Sequence, residues 1–125
     1  MRALILLALL SLPGAALAAP QESDRMRIED ILVQLDASSN VDIGYCADHY
    51  GDFGAQYGAI IASPVVATFL RATRYFQLES SPPDEIDREP SQQRCLDSMH
   101  KVKALFARHA RYLEGLAERI DAAGG

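Results

Sequence analysis

Two cysteines, three histidines and a set of carboxylates are the residues of this chain that could do chemistry. Cys46 and Cys95 are the whole cysteine complement, and two lone thiols in an oxidising compartment most simply pair with each other. Closing a loop of roughly 50 residues would stabilise a small domain by about 4 kcal/mol on the chain-entropy model. Neither cysteine belongs to a Cys-x-x-Cys pair, which argues against a redox role. His49 stands among Asp48, Tyr50 and Asp52, and histidine with carboxylate can hold zinc. At helical spacing, however, those carboxylates lie on another side, and no His-x-x-x-His pair exists. Asp97 and His100 are three apart and share a helix face, the start of a catalytic constellation, yet no nucleophile is placed to complete it. A solvated surface pair is expected there. His109 falls in an apolar pattern between Phe106 and Leu113, where a core or half-buried histidine bonded to a neighbour is expected. Motifs for haem attachment, phosphate cradling or metalloprotease chemistry are absent from the sequence. The expectation is a protein that is not an enzyme and carries no metal or cofactor.

The remaining chemistry is acidic. Asp84, Glu85, Asp87 and Glu89 fall between Ser80 and Pro90, a stretch that also holds Pro82 and Pro83. Functional residues concentrate on loops held by rigid scaffolds, and proline reduces the entropy such a loop loses on binding. These four acids are therefore the candidate contacts for a partner. The competing reading is a solvated connector stiffened by proline.

The first 18 residues have the pattern of a secretory signal peptide: Arg2, an apolar run from Ala3 to Leu12 interrupted only by Ser11, a Pro13-Gly14 break, then Ala16-Leu17-Ala18. The apolar run is too short to span a membrane, so an exported protein is expected, periplasmic first and secreted second. Residues 19 to 125 would then form one helical domain. Losing Arg2 takes the net charge from −5 to −6. With no basic stripe to neutralise phosphates, nucleic-acid binding is excluded.

These residues need elements to position them. Cys95, Met99, Val102, Phe106, His109, Leu113, Leu116 and Ile120 recur at spacings of four and three, the seam of one long helix from Ser91 to about Ala122. Such a rod, roughly 45 Å long, should be the spine for shorter helices. A first helix is predicted over 24–37, capped by Ser23 or Asp24, with Ile28, Ile31, Leu32 and Leu35 inward. A second, over 41–62, carries Cys46, His49, Tyr50, Phe53, Tyr57 and Ile60 on one face and Gly44, Ala47, Gly51, Gly54, Ala55 and Gly58 on the other. Glycine costs up to about 1 kcal/mol in a helix interior, so this face calls for close backbone approach and a central position. A break at Gly51 or Gly54 is the alternative. Ser63-Pro64 opens a third helix ending near Glu79, with Val65, Val66, Phe69, Leu70, Thr73 and Phe76 inward. The result is an all-α, irregular four-helix bundle around the long C-terminal helix. Joining Cys46 to Cys95 requires the second and fourth helices to be neighbours at that end.

Two segments resemble a known family. Cys95-Leu96-Asp97-Ser98-Met99-His100 resembles the Cys-Ile-Asp-x-Tyr-His segment of small helical periplasmic immunity proteins that neutralise type VI secretion amidase effectors. Tyr45-Cys46-Ala47-Asp48-His49-Tyr50 is similar to that family's Arg-Cys-Leu-Ala-x-x-Tyr segment. The resemblance implies an all-helical exported protein with a disulfide between these cysteines, often dimeric, whose inhibitory residues lie on an exposed loop. The expected function is that of an inhibitor or immunity protein for a basic cell-wall hydrolase. A ligand- or metal-binding bundle and a structural or chaperone-like envelope component are the alternatives.

Overall fold

In the computed structural model, which describes residues 18–124, the helical pattern becomes five helices. They are α1 (Glu22–Ser38), α2 (Ile43–His49), α3 (Phe53–Ile61), α4 (Pro64–Tyr75) and α5 (Gln92–Ala122). The leader expected over the first 18 residues falls almost entirely outside the described part.

The spine is α5, 31 residues long. Ser91 opens it by accepting the Arg94 N–H at 3.2 Å, and every residue of the seam is buried except His109, which is half-buried. Leu105 and Ser98 are also buried, widening the narrow seam to the broader stripe of a globular helix. The Ser98 hydroxyl donates to Ser38 O at 2.6 Å, satisfying a carbonyl left over at the end of α1.

Two clusters of buried side chains lie along this spine. The larger joins Ile28, Ile31 and Leu32 of α1, Val66, Phe69 and Ala72 of α4, and the α5 residues from Val102 to Ile120. Phe69 and Phe106 meet edge to face at 5.3 Å within it. Leu70, expected inward, is 44% exposed, and Ala72 takes the inner position instead. The smaller cluster gathers Val41, Cys46, Phe53, Cys95 and Met99 at the N-terminal end of α5. There Cys46 and Cys95 are bonded, with Cα atoms 5.9 Å apart. The all-helical bundle around a long C-terminal helix, with an inter-helix disulfide, is thus as expected. The disulfide fits an oxidising environment.

The predicted second helix is two. Gly51 adopts φ +54°, a left-handed turn that ends α2 and lets Asp52 start α3, so the break at Gly51 is the alternative that holds. The glycine face is not a central packing surface. A side chain at Gly58 would meet nothing within 4 Å; the close approaches are at Gly54, where a Cβ would lie 3.2 Å from Ala47 Cβ, and at Gly44, where it would lie 3.3 Å from Asp42 Oδ1. The pair α2–α3 is a peripheral cap on the spine. The predicted third helix stops at Tyr75, with Gln77 at φ +56°, short of Glu79. The first helix begins earlier than expected, and its cap is Gln21, whose N–H donates to Asp24 Oδ2 at 2.9 Å.

Candidate functional site

The four candidate acids occupy a connector that is tied down at both ends. Ser80 Oγ and Ser81 N donate to the Asp36 carboxylate at 2.6 and 2.9 Å. Further on, Asp42 N donates to Asp87 O at 2.9 Å and Asp87 N to Asn40 O at 3.0 Å, a short parallel bridge. Tyr50 Oη donates to Pro90 O at 2.7 Å, and Pro90 itself is buried. The acids differ in exposure and bonding. Asp87 is half-buried, ion-paired with Arg94 at 3.0 Å and bonded to the Glu89 N–H, so it holds the loop's shape. Asp84, Glu85 and Glu89 are exposed.

Beside this loop lies a group of rings from α2. Tyr45 and His49, four residues apart and so on one face, stack with centroids 3.8 Å apart, and Tyr50 sits edge-on to Tyr45 at 6.2 Å. Burial, then the neighbouring Tyr50 and the charges of Glu89 and Asp87, push the Tyr45 phenol above its ordinary value. Tyr45 is therefore a neighbour of the loop acids. Its spacing from His49 was a readable signal of a shared face; its proximity to residue 89 was not. His49 also donates from Nδ1 to Tyr45 O at 3.0 Å, so the ring is oriented by its own helix.

The other histidines lie apart. His100 is exposed on α5, and Asp97 accepts from Gln93 at 2.8 Å. His109 departs from the expectation of a bonded core residue. Both of its ring nitrogens are buried, and among the described residues neither has a hydrogen-bond partner. Burial first, then the positive charges of Arg27 and Arg108, lower its pKa, so the neutral ring is favoured. Among the described residues no three His, Cys, Asp or Glu side chains are grouped to hold a metal ion.

One buried carboxylate is fully committed to structure. Asp24, 7% exposed, receives Arg119 at 2.7 and 2.8 Å, Tyr112 Oη at 2.7 Å and the Gln21 N–H. The Arg119 bonds above all hold its carboxyl well below the usual carboxylate range. Arg27 lies 3.8 Å over the Tyr112 ring and completes the cluster.

A recess opens between α3, the start of α4 and the middle of α5. Its volume is about 540 Å³, and Ile60, Val65, Met99 and Phe106 form its apolar wall. The flanking segment from Phe53 to Leu70 contains no charged residue, and Ile61 and Leu70 are 42% and 44% exposed. Among the described residues no single helix is long and apolar enough to cross a membrane; α3 and α4 qualify only as a pair bent by 56°.

Fold and surface together define a small disulfide-linked helical bundle that displays acids on a loop and stacked rings on the neighbouring helix α2. Compared with known proteins, the chain matches no family model, no curated protein and no solved structure at significant similarity.

Proposed function

We propose that this protein is an exported binding protein, an inhibitor or immunity protein that docks its acidic loop on a basic cell-wall hydrolase in the periplasm. The observation that carries this reading is the bracing of residues 80–90 by Asp36, Asn40, Asp42, Tyr50 and Arg94. A loop pinned at both ends, with Pro82 and Pro83 between the pins, loses less entropy on binding, which favours presentation of Asp84, Glu85 and Glu89 to a cationic partner. Tyr45 and His49 beside them supply the aromatic area that protein interfaces favour. The net charge, −5 for the full chain and −6 once Arg2 is lost with the leader, steers a basic partner toward the molecule, and that attraction weakens with salt.

The test is capture from periplasmic extract by the oxidised protein, read by mass spectrometry, beside the variant Asp84→Asn/Glu85→Gln/Glu89→Gln. One stoichiometric partner, a cell-wall hydrolase whose activity falls on binding and which the variant releases, is the expected result. Full activity of every candidate amidase and lysozyme at stoichiometric excess of the protein would contradict it.

A further inference from the structure

The recess between α3, α4 and α5 lies apart from the acidic loop and has a different chemistry. None of the residues that line it is acidic, although the chain has 17 acids against 12 lysines and arginines. Its one cationic group is Lys103, three residues from His100 on α5, with Ser63 and Gln56 across from them and the Gln56 amide already donating to Asp52 at 2.9 Å. Ser63 is the N-cap residue of α4 but bonds no backbone amide, and its buried hydroxyl makes no hydrogen bond among the described residues. Val65, in the first turn of α4, is also in the wall, so the positive end of that 12-residue helix lies at the recess. An apolar cleft of this size with a few converging polar groups is the usual form of a small-molecule site.

We infer that this recess binds a free fatty acid, with the alkyl chain against Ile60, Val65, Met99 and Phe106 and the carboxylate at Lys103 and Ser63. A chain without a charge would leave the lysine unused, and a compact anion would leave the apolar wall wet. A single-chain carboxylate satisfies both.

The test is titration of the mature, oxidised protein with laurate below its micelle concentration, followed by amide chemical shifts. Lauryl alcohol and anionic phospholipid vesicles serve as comparisons. Saturable one-to-one binding of laurate is expected, with shifts centred on Ile60, Val65, Met99 and Phe106. Lys103→Glu should weaken it about tenfold or more, since one charge-assisted bond is lost. Ala59→Trp and Ala107→Trp, at exposed alanines of the lining, should each fill the recess and abolish binding while leaving the helical circular dichroism unchanged. The inference is overturned by absence of saturable binding, by equal affinity for the alcohol, or by insensitivity to either tryptophan variant. It is equally overturned by association with vesicles alone, or by a dimer in which a second copy fills the recess.

Discussion

The two ends of the spine are held by different means. Toward its C-terminal end, α5 shares with α1 and α4 a continuous apolar cluster in which a dozen side chains are buried. Toward its N-terminal end, α2 and α3 contribute two fully buried side chains, Cys46 and Phe53, with Val41 just before them. Burial at about 25 cal/mol per Å² stabilises the first region without help. The second would be marginal without the covalent link and the loop bonds that cross it. The lesson is that the region proposed to meet a partner is the one with the least core. A disulfide supplies there what packing supplies elsewhere.

Substitutions can break this contrast or sharpen it. Phe69→Ala, in the three-helix core, should cost about 3–5 kcal/mol in denaturant unfolding, because the edge-to-face contact with Phe106 is replaced by a cavity. Opening the disulfide with Cys46→Ala/Cys95→Ala should cost about 2–4 kcal/mol, since a separation of 49 residues is no longer closed in the unfolded chain. Asp24→Asn should cost about 2–3 kcal/mol at neutral pH by leaving Arg119 poorly paired.

Asp24 also sets a pH dependence. Its folded pKa is depressed, so its contribution is present above the unfolded value of about 3.9 and is lost as pH falls through the folded one. The wild type should lose stability below about pH 4 more steeply than Asp24→Asn, measured by urea unfolding across pH.

His109 offers the opposite sign of substitution. Its folded pKa is lowered, so the unfolded state binds more protons and the native state weakens as pH falls below about 6.5. His109→Leu should remove that dependence and raise stability by about 1 kcal/mol, because two buried nitrogens without partners are replaced by apolar surface. Gly58→Ala, in the cap, should stabilise by about 0.5–1 kcal/mol, as the added methyl meets nothing and α3 gains a better helix former. A loss on that substitution would mean that the open glycine face is covered by something in solution.

How far the sequence could be read depended on the range of the interaction. The heptad spacing located α5 and almost all of its buried face, because a long helix against one core imposes its own period on the sequence. His109 broke the pattern since its position suits an apolar residue, and nothing local reports that it lacks a partner. The pairing of Cys46 with Cys95 followed from cysteine count and compartment alone. The turn at Gly51 stayed open, because glycine serves equally for close packing and for positive φ, and only the observed backbone decides. Asp24 looked like a helix cap. Its partner Arg119 is 95 residues away, and no neighbouring residue signals the ion pair. Likewise the acids of the connector looked alike in sequence. The bridge to residues 40–42 and the pair with Arg94 single out Asp87 as the one that shapes the loop. The recess beside Lys103 depends on how α3 and α5 cross, which their separate patterns do not encode.

Native-state hydrogen exchange on the oxidised protein and on Cys46→Ala/Cys95→Ala tests most directly whether the two regions are held separately. Loss of the disulfide should speed exchange at the amides of α2 and α3 and at Asp42 and Asp87. Protection in α1, α4 and the C-terminal half of α5 should persist. An equal loss of protection across all five helices, or none in α2 and α3, would contradict the division of the molecule into a packed core and a covalently pinned cap.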